Sequence, residues 1–203
     1  MIEQLFFYRP EVMTLIWVAI FVSDWLMNYN GAKIYYSQAR EFFVFEEGDS
    51  LKPISEDEIA HPRTLVSWFL SELVIGSLGM WFLLYNCRLY SSNVFYGVVC
   101  GFFILMQACI HFRHLGNIAL FSSTRRGYGI RGSISIPRWI LLRTAAFDYA
   151  IFAAAFLIVY IVNRNHFVLG GVVSCFSLAA FMLVYSAVER YEFFSAHPEA
   201  VGT

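Results

Sequence analysis

The chain has 203 residues, of which 59% are hydrophobic, 19% aromatic and 14% charged. This is far more apolar surface than one soluble core can bury, so the composition indicates an integral membrane protein. The formal net charge of −1 argues against a nucleic-acid partner, which requires a clear basic excess. The four cysteines form no C-x-x-C pair, which argues against a disulfide framework or a thiolate metal site.

Five segments are long and apolar enough to cross a bilayer, since each membrane helix needs about 20 mostly apolar residues. We predict an all-α fold, a polytopic integral membrane helix bundle that forms a single transmembrane domain over residues 1–203. The predicted helices lie near 10–30, 64–86, 93–118, 144–163 and 167–188, and the polar loops between them at 31–63 and 119–143.

Lysines and arginines are divided unequally between the two sides of these segments. Because basic residues concentrate on the cytoplasmic side, we predict that the N-terminus lies outside and the C-terminus inside, most simply at a cytoplasmic (inner) membrane. Arg113 falls within the third segment. The predicted inner side holds ten basic residues, Lys33, Arg40, Lys52, Arg63, Arg125, Arg126, Arg131, Arg138, Arg143 and Arg190, against Arg9, Arg88 and Arg164 outside.

The loop at 119–143 contains a glycine pattern and several arginines. Gly127, Gly129 and Gly132 match G-x-G-x-x-G, but a nucleotide-binding fingerprint needs a strand before the glycines and a helix opening on them, and neither is expected here. Alternation in 130–136 favours a short strand or hairpin. The arginines of 125–143 predict contact with anionic lipids of the inner leaflet.

A polar stripe follows the apolar part of the third segment. At ~100° per residue, Gln107, His111 and His114 fall within roughly 60° of one another on a helix, with Arg113 and Asn117 to the side. The alternative is that 94–110 alone crosses the membrane. His111 and His114 would then be ordinary anchors at the inner interface.

Carboxylates also lie within the predicted helices. Asp24, with Asn28 one turn further on, Glu72 and Asp148 all fall in the predicted inner half of the bilayer. A charged carboxylate there costs roughly 2.5–3.5 kcal/mol on insertion scales, so together with the two histidines these groups predict a polar interior or a vestibule open to the cytoplasm. In the alternatives, Asp148 pairs with Arg143 near the surface and Glu72 is neutral and hydrogen-bonded.

Small residues predict how the last two helices pack. Residues such as glycine and alanine at helical spacing let two membrane helices approach closely. We therefore predict that the fourth and fifth helices form a hairpin, joined by a short turn at 163–165. The residues concerned are Ala146, Ala150 and Ala154 on the fourth helix and Gly170, Gly171 and Ser174 on the fifth.

Three functions fit these patterns. A channel or transporter for a cation, proton or small solute would use Asp24, Glu72 and the histidine stripe as a relay, and this is the leading expectation. A metal-dependent membrane enzyme would hold a divalent metal such as Zn²⁺ on His111, His114 and Asp24. An accessory subunit of a membrane complex, or a homo-oligomer, would use the same groups only to fix helix packing.

Overall fold

The computed structural model describes residues 9–45, 59, 62–124 and 132–196. Within them, five helices are each long and apolar enough to cross a membrane. The prediction of a bundle of five membrane helices is therefore confirmed. The helices are α1 (Pro10–Ile34), α2 (Pro62–Tyr90), α3 (Asn93–Thr124), α4 (Arg138–Asn163) and α5 (His166–Ala196).

All five helices extend beyond the predicted apolar segments. After α1 the chain continues through a π-helical turn, Tyr35–Ala39, and α4 begins at Arg138 rather than near residue 144. The 32 residues of α3 reach ~48 Å, against a hydrocarbon core of about 30 Å. The difference arises because a helix can continue through polar residues once it leaves the hydrocarbon.

The turn between α4 and α5 has a defined polar structure. Arg164 adopts the left-handed conformation at φ 53° and ends α4. The Asn163 side-chain oxygen accepts from the Asn165 backbone N–H at 2.9 Å, and the Asn165 side-chain oxygen accepts from the Phe167 N–H at the same distance. These bonds satisfy backbone donors that the start of a helix leaves unpaired. The predicted short turn is present.

A two-stranded parallel sheet joins the segment after α1 to the segment before α4. Strand β1 (Phe43–Phe45) pairs with strand β2 (Ile134–Ile136). The Tyr35 hydroxyl donates to the Phe43 carbonyl at 2.9 Å, and the Tyr35 ring lies 5.3 Å from that of Phe121. These contacts bring the chain after α1, the last turns of α3 and the chain before α4 to the same end of the bundle.

Helices α4 and α5 pack on each other, but not through the predicted alanine stripe. Tyr149 and Ala153 on α4 form a buried cluster with Cys175 and Ala179 on α5 and Cys109 on α3. The prediction that Ala150 and Ala154 lie in this interface is wrong, since both side chains are exposed while Ala146 is buried. The buried face of α4 is turned toward α3 as well as α5. The spacing of small residues on α4 alone cannot show that a third helix packs against it.

Glycines bring α3 and α5 together. A Cβ atom on Gly101 would overlap the Phe167 carbonyl, and one on Gly170 would overlap the backbone of α3 at Val98. Gly170 therefore faces α3 rather than α4, which corrects its predicted role. Gly171 lies against Leu105 on α3 and Phe156 on α4. Backbone contact of this kind is typical of small residues at membrane helix crossings.

Helix α2 lies at the edge of the bundle. It contacts α1 where Gly76 lies against the Trp17 ring, and its Met80 and Leu84 are buried in a cluster shared with α1 and α3. Its opposite face is exposed, with Ile75 70% exposed. This large apolar surface fits contact with the lipid bilayer.

Candidate functional site

Asp24 lies near the middle of the first membrane-spanning helix. It is 14 residues after Pro10 and 15 before Ala39, which ends the span, or ~21 and ~22 Å from the two ends at 1.5 Å per residue. The sequence placed it only about 9 Å from the inner end, because the predicted helix stopped at residue 30. The added turns lie beyond the predicted apolar segment, so they move the end of the helix and not Asp24.

Helix α3 runs parallel to α1 and brings the polar stripe against Asp24. The side-chain amide of Gln107 donates a hydrogen bond to Asp24 Oδ2 at 3.0 Å. Further along, Gly31 on α1 lies against Ile118 on α3. Later residues of α1 therefore contact later residues of α3, as expected for two parallel helices.

Two histidines approach the other oxygen of the same carboxylate. His114 Nε2 lies 3.6 Å and His111 Nδ1 3.9 Å from Asp24 Oδ1. Both distances are ion-pair distances and too long for hydrogen bonds. The Asp24 side chain is 14% exposed and each histidine 23%. Asp24, Gln107, His111 and His114 form what we call the Asp24 cluster.

The Asp24 cluster contains unsatisfied polar atoms. Asp24 Oδ1 and His111 Nδ1 are buried and have no hydrogen-bond partner within the described parts of the chain. A buried polar atom without a partner costs about 1–3 kcal/mol, and more when it is charged. The two atoms lie side by side, so a proton or a small cation bound between Asp24 and the imidazoles would remove this cost.

A second polar group lies on another face of α3. Arg113 Nε is 3.4 Å from Asp148 Oδ2, and its Nη1 donates to the Tyr149 hydroxyl at 3.3 Å. The guanidinium carbon also lies 5.1 Å from the centre of the Tyr149 ring. The alternative pairing of Asp148 with Arg143 is not what the structure shows. The ion pair of Arg113 and Asp148 connects two of the membrane-spanning helices, α3 and α4.

The remaining predicted residues do not join the Asp24 cluster. Glu72 is exposed on α2, so its predicted convergence with Asp24 is absent from the structure. Asn28 and Asn117 are half-buried, and within the described chain neither side chain makes a hydrogen bond. The sequence analysis did not identify Tyr149 as a partner of Arg113. Tyr149 follows Asp148 directly in the sequence, and this position could have indicated that both residues lie near the same arginine.

A metal site is not supported by the described residues. They contain no group of three or more histidine, cysteine, aspartate or glutamate side chains arranged to hold a metal ion. The expectation of a divalent metal such as Zn²⁺ on His111, His114 and Asp24 therefore gains no support from the geometry of these residues.

No family model matches the chain, and no curated protein or solved structure is significantly similar to it. Any function must therefore be argued from the chain's own residues.

Proposed function

We propose that this protein transfers a proton or a small monovalent cation across the membrane through the Asp24 cluster. The observation that carries the proposal is the position of one carboxylate and two imidazoles within 3.9 Å at mid-helix depth, with Asp24 Oδ1 lacking a hydrogen bond. Ionisable residues inside a membrane commonly mark ion pathways and proton relays.

The chemistry of the cluster suits reversible proton binding. Carboxylate and imidazole groups gain and lose protons under mild conditions, and each change alters the attraction between them. A protonated His114 moving by about 0.6 Å would reach hydrogen-bond distance of Asp24 Oδ1. Gln107 holds the other carboxylate oxygen and keeps the group oriented while its partners change charge.

The membrane setting forms part of the proposal. The ten-to-three division of basic residues supports an orientation with the N-terminus outside and the C-terminus in the cytoplasm, most simply at an inner membrane. The arginines of 125–143 would then face anionic lipids of the inner leaflet. On this orientation the strand pair β1–β2 lies on the cytoplasmic side, at the end of the bundle toward which α1 and α3 run from the cluster.

Flux measurements in liposomes test the proposal. The purified chain is reconstituted with a pH-sensitive dye inside the vesicles, and a potassium diffusion potential drives proton entry. A parallel experiment with a sodium- or potassium-sensitive dye detects cations. We expect Asp24→Asn to reduce the flux to that of protein-free vesicles, because asparagine cannot exchange a proton or balance a cation.

The matched control is Glu72→Gln. Glu72 is also a carboxylate within a membrane helix, but it lies outside the cluster, so its substitution should leave the flux unchanged. A wild-type flux no greater than that of protein-free vesicles would refute transport. Equal loss in Asp24→Asn and Glu72→Gln would refute the assignment to the Asp24 cluster.

A second candidate is an accessory subunit, favoured by the exposed carboxylate on α2. Glu72 has no partner among the described residues, and neighbouring apolar side chains such as Trp68 and Ile75 are also exposed. A second copy or another membrane subunit could cover this face. Crosslinking from position 72 in native membranes distinguishes the two functions, since an accessory subunit should give a discrete partner band while reconstituted vesicles show no flux.

A further inference from the structure

An open groove lies between the beginning of α4 and the end of α5. It has a volume of about 520 Å³. Arg143 is five residues after the start of α4 and Arg190 six before the end of α5, which places both within ~9 Å of the helix ends. The groove thus lies where the polar ends of the helices leave the hydrocarbon. Its lining residues are Trp139, Arg143, Leu183, Ser186, Ala187, Arg190, Tyr191 and Phe194.

Positive charge in the groove is not balanced by acidic residues. Arg143 and Arg190 are exposed, and within the described chain neither forms an ion pair with a carboxylate. The nearby Arg138 differs, because its Nη1 lies 3.0 Å from Glu189 Oε1 and its Nη2 donates to the Tyr185 hydroxyl at 3.1 Å. Glu189 is therefore already engaged, and two guanidinium groups remain for an anion.

Trp139, which lines the groove, carries a further donor. Its indole Nε1 is buried and has no hydrogen-bond partner among the described residues. The Arg190 guanidinium carbon lies 5.5 Å from the centre of the Trp139 ring, and the Ser186 hydroxyl donates to the Trp139 backbone carbonyl at 2.8 Å. These contacts hold the ring and the guanidinium together at the groove.

We propose that this groove binds the phosphate of an anionic phospholipid. Arginine binds phosphate through charge-assisted, often paired hydrogen bonds, and Arg143, Arg190 and the Trp139 N–H supply donors to one small region. Leu183, Ala187 and Phe194 add an apolar wall that suits the glycerol and acyl portion of a lipid and offers nothing to a free phosphate ion. The site does not depend on the transport proposed for the Asp24 cluster.

Native mass spectrometry of the full chain tests this site. The protein in detergent is titrated with dioleoyl phosphatidylglycerol, with dioleoyl phosphatidylcholine, or with inorganic phosphate alone. We expect preferential retention of phosphatidylglycerol. Each of Arg143→Gln and Arg190→Gln should weaken it about five-fold, and both together about 25-fold, since one basic residue near anionic lipid contributes ~1 kcal/mol. Trp139→Phe keeps the ring, removes the N–H donor and should also weaken retention.

The matched control is Arg164→Gln. Arg164 also lies over an aromatic ring, 5.9 Å from the centre of Tyr160, but it is in the turn at the opposite end of α4. Its substitution should leave retention unchanged, and Arg143→Lys, which keeps the charge, should restore part of the binding and show that the fold is intact. Equal retention of the two lipids, or an unchanged double variant, would overturn the proposal. Displacement of the lipid by millimolar inorganic phosphate would show that the groove is a site for free phosphate and not for lipid.

Discussion

Gln107 donates a 3.0 Å hydrogen bond to Asp24 across 83 residues of sequence. This bond leaves one carboxylate oxygen satisfied and presents the other to His111 and His114. The two oxygens therefore have different surroundings, one fixed by an uncharged amide and one beside two groups that change charge.

A double-mutant cycle measures the coupling within the Asp24 cluster. We expect Asp24→Asn and His111→Ala each to lower stability in detergent, and the double variant to be little worse than the more damaging single variant. The coupling free energy should fall at ~0.5–3 kcal/mol, as for residues in contact. Thermal unfolding in one detergent gives the four values. The control cycle pairs Asp24→Asn with Arg164→Gln in the turn between α4 and α5, and its effects should add. Additivity in both cycles would show that His111 is an interfacial anchor.

The orientation of the chain is tested by cysteine labelling. Ile130→Cys should react with a membrane-impermeant maleimide only after the cytoplasmic side is opened, and Tyr90→Cys should react from outside, because basic residues concentrate on the predicted inner side. The native Cys87, Cys100, Cys109 and Cys175 are buried, so the unsubstituted protein is the background control. The opposite labelling pattern would invert the orientation.

The α4–α5 interface is tested by two alanines three residues apart. Ala153 is 6% exposed, whereas Ala150 is exposed. We expect Ala153→Leu to destabilise the protein by roughly 1–3 kcal/mol through overpacking, and Ala150→Leu to have little effect because lipid accommodates its side chain. Thermal unfolding in detergent compares them. If Ala150→Leu is the more damaging, α4 is rotated relative to the structure described.

The crossing of α3 and α5 is tested by two glycines on α3. Gly101→Ala should separate the helices, because its Cβ would overlap the Phe167 carbonyl. Gly116→Ala is the matched control, since a Cβ there meets nothing within 4 Å, and it should be neutral or slightly stabilising because alanine favours a helix. Unfolding temperature and monodispersity are measured for both. Equal tolerance at the two positions would refute the close crossing.

The sequence predicted features that belong to a single helix and missed those that need two. Five apolar segments of membrane length identify five helices, and the spacing of Gln107, His111 and His114 places them on one stripe whatever lies opposite. Which side chain contacts that stripe depends on which helices pack against each other, and the sequence of one helix does not show this. The sequence therefore groups Glu72 with Asp24, although Glu72 is exposed on α2, and it does not predict the pairing of Arg113 with Asp148.

Helix ends were also missed for a physical reason. Hydropathy predicts the end of a membrane helix where polar residues begin. Backbone hydrogen bonds can continue the same helix past that point, into water or the headgroup layer. The groove at Arg143 and Arg190 lies in these extensions. The sequence places Arg143 among the arginines predicted to contact anionic lipids, and it predicts no site for Arg190.

The close crossing of α3 and α5 also restricts how the protein can move. At Gly101 and Gly170 the two backbones touch, so sliding one helix along the other would drive side chains into the neighbouring main chain. Helices α4 and α5 are joined by the two-residue turn Arg164 and Asn165 and share a buried cluster with α3, so these three helices are closely packed. Helix α1 contacts this unit through the Gln107 hydrogen bond to Asp24 and through apolar side chains such as Met13. On the proposed function, a change of protonation at Asp24 would therefore alter a contact between α1 and this closely packed unit.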